Sequence, residues 1–478
     1  MLSQLSQLRD RLPRPTLSPN VQGWLICFAV LIVTVIRSGI TYSFGVFVVK
    51  LTNDYHRSLA EQNWVGTLSF CVSLSFSPVS VALIRVVGPH GFRIVGLLGV
   101  IILTVSCIAS SLVTSLEWMF LTHSLLYGIG SSFIYMASSL IIGDYFDKDH
   151  PQHVLATSIL LCGYPVGSLV FNPINAWLVN SYGWRVAFRA ASGMIFIAGV
   201  CCVATFAPRK TPAYFDLDNE EKTKDLSLRS CFGSCVVLKQ RPEILLWLFG
   251  NTLSYLGFYM PFLNLPYYMK LKGIKAIDSS WALTVLSLGE CISYVVASLV
   301  GVFFRGKLVF SNILASLALA VICIVWPFVD ASYAEIMVIS SAMGVFLGLT
   351  IVYAYAASGE VTGLSLDVAW ALTNMWSGFG ILLGPFFSGL IYDLRHSYDD
   401  VFYVNGGIFA VDLFVFGAIA ALQKYRQYKG QFEYEEIDGD AMTSSTSDYE
   451  RTFRSVKKSM SKPQVVDEAS IEYYAHED

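Results

Sequence analysis

The chain has 478 residues, of which 54% are hydrophobic and only 14% are charged. Soluble proteins average about 25% charged residues, so this composition excludes one large soluble domain and favours a polytopic membrane protein. The formal net charge of −3, without a basic face, excludes the usual nucleic-acid-binding classes.

Twelve apolar segments of helical length follow one another along the chain. They predict an all-α membrane protein, because a helix satisfies its own backbone polar groups inside a bilayer. We number the segments as spans 1 to 12. Their expected limits are 23–49, 62–86, 92–113, 116–142, 154–179, 186–207, 243–268, 279–303, 308–329, 333–357, 366–392 and 401–422.

One long polar segment divides these spans into two sets of six. The tail after span 12 is polar and rich in serine, and such a composition predicts disorder. The sequence therefore predicts a cytosolic N-terminal segment, a six-helix half, a cytosolic central loop, a second six-helix half and a disordered cytosolic tail. Their expected limits are 1–22, 23–207, 208–242, 243–422 and 423–478.

Lysine and arginine are more frequent in the loops on one side of the predicted bundle than on the other. The positive-inside rule then places both termini in the cytosol, and we expect the plasma membrane. Span 5 carries GYPVG (163–167) and span 11 carries GILLGP (380–385), at corresponding places in the two halves. Parallel repeats of this kind place a substrate site near the bilayer midplane, between the halves.

Span 1 carries a single charge, Arg37, near its middle. A charge at that depth should face the protein interior or a water-filled space, because exposure to lipid is costly. Two interpretations are open. Arg37 binds an anionic or polar group of a substrate, or it is a structural residue paired with a carboxylate or with backbone carbonyls.

Several stretches together resemble a known family. In the first half they are TYSFGVF (41–47), WVGTL (64–68), IIGDYFDK (141–148), LATSILLCGYPVG (155–167) and YGWRVAF (182–188). In the second half they are LGFYMPFLNLPYY (256–268) and LLGPFFSGLIYD (382–393). The chain is similar here to the monocarboxylate transporter family of the major facilitator superfamily. The resemblance implies twelve transmembrane helices, alternating access and a small organic solute, in a protein that is not an enzyme and uses no cofactor.

The resemblance also implies roles for individual residues. Proton-coupled members of the family carry a lysine in span 1, where this chain has Ser43, and an acid in span 8, where it has Glu290. One turn after that acid they carry an arginine, whereas this chain has Tyr294. Arg37 is therefore expected to replace the missing cation. Proton-linked transport of a monocarboxylate and facilitated transport of a larger or amino-acid-like solute both remain open.

Glu290 lies in an otherwise uncharged span, and three interpretations are open. It takes up a proton and couples it to transport, it forms a structural ion pair with Arg37, or it lies on the lipid face by accident. Tyr294 shares its helix face at a spacing of four. The hydroxyl of Tyr294 therefore either contributes to the substrate site or the residue simply packs in the core.

Two further groups of residues are candidates. Asn251, Tyr255 and Tyr259 share one face of span 7, which suits a polar and aromatic substrate-binding wall or a helix contact. Arg93 and Asp144 lie at the cytosolic ends of spans 3 and 4 and are expected either to form a gate or to be solvated surface charges.

The hypothesis from the sequence is a secondary transporter that moves a monocarboxylate or related small organic solute across the lipid bilayer. The alternatives are a transporter-like sensor that binds solute without flux, and a facilitative carrier of amino-acid-like or larger solutes. No phosphate-binding loop, metal-spaced cluster or catalytic triad is recognisable, so neither an enzyme, a metal nor a cofactor is expected. Many family members need a single-span ancillary glycoprotein, which the resemblance adds as a candidate partner.

Overall fold

A computed structural model of the chain describes residues 19–55, 59–147, 150–209, 242–274, 276–304, 306–328 and 332–443. Within these ranges the regular elements are α-helices with short 3₁₀ and π-helical segments. The all-α prediction is thus confirmed for the described part of the chain. Most of the expected N-terminal segment and central loop, and the end of the tail, lie outside these residues.

The helices follow the predicted spans. In the first half they are Pro19–Tyr42 and Phe44–Tyr55 (span 1), Leu59–Ser75 and Ser77–Val87 (span 2), Gly91–Leu112 (span 3), Leu116–Met119 with Phe120–Tyr127 and Gly128–Tyr145 (span 4), His153–Tyr182 (span 5) and Trp184–Thr205 (span 6). In the second half they are Pro242–Leu271 (span 7), Ala276–Val300 (span 8), Val309–Val325 (span 9), Tyr333–Val352 and Ala354–Thr362 (span 10), Leu366–Arg395 (span 11) and Tyr398–Thr443 (span 12).

Ten of the described helices are long and apolar enough to cross a bilayer, and the bent pair Trp64–Ser75 and Ser77–Val87 makes an eleventh candidate. Span 7 is not among these candidates, although its helix has 30 residues. Its hydropathy is lowered by buried polar and aromatic residues, which include Asn251 and Tyr255. A helix of that composition is expected to face a protein interior more than lipid.

The two halves use the same pairs of neighbouring helices. Span 1 packs along span 5 and span 7 along span 11, while span 2 packs on span 4 and span 8 on span 10. Between the halves, span 2 lies against span 11 and span 5 against span 8. Spans 1 and 7, 2 and 8, and 5 and 11 therefore occupy equivalent places around one interface.

Glycine permits the closest of these approaches. A Cβ atom on Gly167 of span 5 would collide with the hydroxyl of Ser38 and with the backbone of span 1. Between the halves, a Cβ atom on Gly378 of span 11 would collide with Ser75 and with the carbonyl oxygen of Cys71 in span 2. Small residues at helix interfaces let backbones approach closely in membranes, where packing drives association.

Span 1 and span 4 both depart from a regular α-helix. Span 1 breaks at Ser43, and span 4 is π-helical over Phe120–Tyr127. The π-helical segment carries His123 and Tyr127, which are both buried. Such segments are frequent at functional sites, because the extra residue in the turn redirects neighbouring side chains.

The chain divides into two compact units, Met1–Ala420 and Ala421–Asp478. In the second unit the described residues, 421–443, are helical. The helix of span 12 therefore continues beyond the expected boundary at 423, through a segment rich in Gln, Lys, Glu and Tyr. Residues 444–478, where disorder is also expected, lie outside the described part of the chain.

Candidate functional site

Arg37 is 3% exposed, and the side chains that it contacts are on spans 4 and 5 of the first half. Its guanidinium lies against two aromatic rings, with Cζ 5.1 Å from the ring centre of Tyr135 in span 4 and 5.0 Å from that of Tyr164 in span 5. Cation–π contacts of this kind hold a guanidinium plane in one orientation. Arg37 therefore has a fixed direction and does not reach towards lipid or solvent.

The polar contacts of Arg37 leave one nitrogen free. Its Nη1 donates to the hydroxyl of Ser131 at 2.6 Å, and Ser73 of span 2 donates to the same hydroxyl at 3.0 Å. The hydroxyl of Tyr127 donates to the Arg37 carbonyl oxygen at 2.8 Å. The Nη2 atom is buried and has no hydrogen-bond partner among the described residues. A buried donor without a partner is costly, so this atom is a ready binding point for an anion.

Aromatic residues from both halves surround this arginine. The ring of Tyr42 lies 6.0 Å from that of Tyr164 and 5.9 Å from that of Phe262 in span 7. The ring of Tyr135 lies 6.3 Å from that of Trp370 in span 11. We call these five residues together with Arg37 the arginine cage. The cage therefore contains side chains from both halves.

Glu290 belongs to the same interface but contacts Arg37 neither directly nor through an ion pair. It is 2% exposed, and within the described residues it forms no hydrogen bond and no ion pair within 4 Å. It lies close enough to Tyr42 and Tyr294 for electrostatic interaction with their hydroxyls. The interpretation of Glu290 as the ion-pair partner of Arg37 is therefore wrong in this conformation. Its complete burial between helices also rules out the lipid-facing interpretation.

The residues predicted on span 7 take different positions. Tyr255 is buried within electrostatic range of Tyr42, and the ring of Tyr259 lies 6.1 Å from that of Phe70 across the interface. Asn251 is also buried, but its Nδ2 donates within its own helix to the carbonyl oxygen of Trp247 at 2.8 Å. The two tyrosines thus lie at the interface near the cage, while Asn251 lies one to two turns away along span 7.

The remaining predicted site residues are not members of the cage. The hydroxyl of Ser43 donates to the carbonyl oxygen of Gly39 at the break in span 1. Asp144 accepts a hydrogen bond from the backbone N–H of Arg209 at 2.7 Å, and Arg93 is exposed. A substrate contact for Ser43 and a gate built on Arg93 and Asp144 stay predictions.

A different set of residues joins the halves at one end of the bundle, where spans 1, 5, 7 and 11 begin. We call this the near end and the opposite one the far end. Arg85 of span 2 forms an ion pair with Asp367 of span 11, including a bond from Nε to Oδ2 of 2.8 Å. Close by, the hydroxyl of Tyr355 in span 10 donates to the carbonyl oxygen of Ser139 in span 4 at 3.3 Å.

Reasoning from the sequence missed this ion pair and one further buried charge. Asp412 in span 12 is fully buried and accepts hydrogen bonds from Ser254 at 2.6 Å and Ser316 at 3.0 Å. A signal was available for Asp412, since it is a carboxylate in the middle of an apolar span. For Arg85 and Asp367 there was none, because charges at span ends are ordinarily solvated.

No group of three His, Cys, Asp or Glu side chains in the described part of the chain is placed to hold a metal ion. The eight cysteines within it are free thiols. The groups present at the site are a guanidinium, a carboxyl group, hydroxyls and aromatic rings.

Comparison with known proteins agrees with this architecture. The family model described as Major Facilitator Superfamily matches residues 30–252 and 247–466, once for each half. Monocarboxylate transporter 2 of Rattus norvegicus is 24% identical, over 94% of this chain and 93% of that protein. Monocarboxylate transporter 13 of Rattus norvegicus is 24% identical over 80% of this chain and 86% of its own length. Monocarboxylate transporter 6 of Mus musculus is 23% identical over 87% of this chain and 91% of its own length.

These matches cover the residues of both halves, including Arg37, Glu290 and the ion pair at the near end. The superfamily is one of transporters and not of enzymes, so the protein is a multi-pass membrane solute transporter. The chain belongs to the Major Facilitator Superfamily, as a divergent member of its monocarboxylate transporter family.

Proposed function

We propose that the protein is a secondary transporter that moves a monocarboxylate by alternating access, with Arg37 binding the carboxylate. The observation that carries the proposal is the free Nη2 of Arg37, a buried cationic donor at the interface of the two halves. Relatives named as monocarboxylate transporters support the substrate class.

The surroundings of Arg37 suit a carboxylate better than a neutral solute. Arginine binds carboxylates through its planar fork of donors, and here Ser131 occupies Nη1 while Nη2 is free. The rings of Tyr135 and Tyr164 pack against the guanidinium and limit its contact with water. An arriving carboxylate then neutralises a charge that is otherwise buried without an anion, which contributes binding energy to that class of solute.

Alternating access requires that the halves separate at one end at a time. Arg37 and Glu290 are both almost completely buried, so the site is closed to solvent in this conformation. The ion pair of Arg85 with Asp367 and the contact of Tyr355 with Ser139 hold the near end shut. We assign this end to the cytosol, as the distribution of Lys and Arg in the sequence indicates. We also assign the protein to the plasma membrane.

The test is uptake of radiolabelled monocarboxylates into proteoliposomes that contain the purified protein. Arg37→Gln should reduce uptake at least tenfold, which corresponds to about 1.4 kcal/mol of lost stabilisation. Arg395→Gln is the matched control, because Arg395 is exposed at the far end of span 11. It should leave uptake unchanged.

Two outcomes would overturn the proposal. Normal uptake by a folded Arg37→Gln protein would show that Arg37 does not bind the solute. Saturable binding by the wild-type protein without uptake into proteoliposomes would show a sensor in place of a transporter.

A further inference from the structure

The two buried ionisable groups of the site, a guanidinium and a carboxyl group, belong to different halves. Arg37 is on span 1 and Glu290 on span 8, and no ion pair joins them. Tyr164 packs against Arg37, the ring of Tyr42 lies 6.0 Å from that of Tyr164, and Tyr42 is within electrostatic range of Glu290. The site therefore has a cationic pole at Arg37 and a carboxyl pole at Glu290, with aromatic side chains near both.

At each pole a buried polar group lacks a hydrogen-bond or ion-pair partner. Nη2 of Arg37 has no acceptor, and Glu290 has no hydrogen bond and no cation within the described residues. A buried ionisable group without a partner is costly, because it must either keep an unpaired charge or give that charge up, and here one such group is present on each half. A simple monocarboxylate neutralises only the pole at Arg37. A solute with both a carboxylate and a cationic nitrogen neutralises both poles.

The surroundings of Glu290 favour a cation. Tyr294 lies one helical turn along span 8 and is buried, and Tyr42 approaches from span 1. Tyrosine rings attract ammonium groups through their negative faces, so these side chains would line the path of a cationic nitrogen towards the carboxylate. No arginine or lysine among the described residues lies within ion-pair distance of Glu290 to compete for it.

We propose that the substrate is a small zwitterion, whose carboxylate binds Arg37 on the first half and whose cationic nitrogen binds Glu290 on the second half. This inference rests on the proposed function and narrows its substrate class. It also gives alternating access a physical reason. The zwitterion joins the two halves through opposite charges, so the loaded carrier closes more readily than the empty one.

The test compares isosteric pairs that differ only by an ammonium in place of a methyl group. Suitable pairs are β-alanine with butyrate, 4-aminobutyrate with pentanoate, 6-aminohexanoate with heptanoate, and alanine with isobutyrate. Binding to the purified wild-type protein in lipid nanodiscs and uptake into proteoliposomes are both measured. At least one zwitterion should bind ten times more tightly than its isosteric monocarboxylate, a difference of about 1.4 kcal/mol.

The variant Glu290→Gln tests whether Glu290 causes the preference for the zwitterion over its isosteric monocarboxylate. It should remove the preference for the zwitterion, and a single symmetric peak in size-exclusion chromatography shows that the variant is folded. If that variant does not fold, the wild-type comparison still decides the proposal. Glu335→Gln is the matched control, because Glu335 is on span 10 near the far end and outside the site.

The outcomes separate this inference from the proposed function. If every monocarboxylate binds as well as or better than its isosteric zwitterion, the proposal of a zwitterionic substrate is wrong. The proposal of a monocarboxylate transporter is then unaffected. If uptake by the wild type rises with proton concentration and uptake by Glu290→Gln does not depend on pH, Glu290 acts in proton coupling. That result would also contradict the proposal of a zwitterionic substrate. Absence of uptake for both members of every pair would overturn both proposals.

Discussion

Arg37 and Ser131 are joined by a hydrogen bond of 2.6 Å that connects span 1 to span 4 inside the first half. Ser131 also accepts a hydrogen bond from Ser73, so its hydroxyl oxygen is shared by two donors. This arrangement fixes which nitrogen of the guanidinium is occupied and which one is free. The direction of Nη2 is therefore a consequence of packing within one half and does not depend on the other half.

Ser131→Ala removes this acceptor and leaves a second guanidinium nitrogen without a partner. Stranding a buried charged donor should destabilise the protein by about 1–3 kcal/mol. A bound carboxylate can satisfy the stranded nitrogen, so the ligand should raise the unfolding temperature of Ser131→Ala more than that of the wild type. Thermal unfolding with and without ligand measures both effects.

Ser192→Ala is the control for this experiment, because the Ser192 hydroxyl donates within its own helix to the carbonyl oxygen of Arg189. Equal unfolding temperatures for Ser131→Ala and Ser192→Ala would contradict the role of Ser131 as a partner of Arg37.

The ring centre of Tyr135 lies 5.1 Å from Cζ of Arg37, so we expect the ring to contribute more to solute binding than the hydroxyl does. Tyr135→Phe keeps the ring and should leave the apparent KM for uptake within about twofold. Tyr135→Leu removes a cation–π contact of about 0.5–2 kcal/mol and should raise KM by about 2- to 30-fold. Similar KM values for the two variants would mean that the ring over Arg37 does not support solute binding.

The near-end ion pair of Arg85 and Asp367 should act as a gate. Its side chains are 19% and 27% exposed, so it contributes little to stability but links span 2 to span 11 across the interface. Asp367→Asn should make a cysteine placed at Ser139 react faster with a charged thiol reagent, because the near end opens more often. Exchanging the charges, as Arg85→Asp with Asp367→Arg, should return the rate towards that of the wild type.

The control for the gate is Asp54→Asn at the far end, where Asp54 is 4.0 Å from Arg185. That variant should leave the near-end labelling rate unchanged. A labelling rate that is the same in Asp367→Asn and in the wild type would show that other contacts keep the near end closed.

The sequence predicts the fold well, because bilayer thickness and backbone hydrogen bonding leave few alternatives to a row of apolar helices. It also identifies Arg37, since one charge in an apolar span has a limited set of explanations. The break at Ser43 and the π-helical turn around His123 could not be predicted in this way, because they depend on how neighbouring helices pack.

The side chains that contact a candidate site residue were harder to predict from the sequence than the site residue itself. Tyr135 and Tyr164 resemble core aromatics in their spans, and only the structure places both rings against Arg37. For the same reason the sequence could not decide whether Arg37 pairs with Glu290. Both are isolated charges at midspan, and the separation between two spans is set by the helices around them.

The buried carboxyl group of Asp412 can be used to measure how polar contacts between helices stabilise the second half. It is fully buried in span 12, where its Oδ2 accepts from Ser254 of span 7 and from Ser316 of span 9. Oδ1 has no hydrogen-bond partner in the described part of the chain. The carboxyl group thus joins three helices through one oxygen, which makes it an attachment point for span 12.

Asp412→Leu leaves two serine hydroxyls without their acceptor and should destabilise the protein by about 1–3 kcal/mol. Asp412→Asn keeps an acceptor oxygen and should lose less. Adding Ser254→Ala and Ser316→Ala to Asp412→Leu removes the stranded donors, so the triple variant should be more stable than Asp412→Leu alone. Thermal unfolding in detergent measures the series, with Val411→Leu on the exposed neighbouring position as control. A triple variant less stable than Asp412→Leu would show that the serines stabilise the helices independently of Asp412.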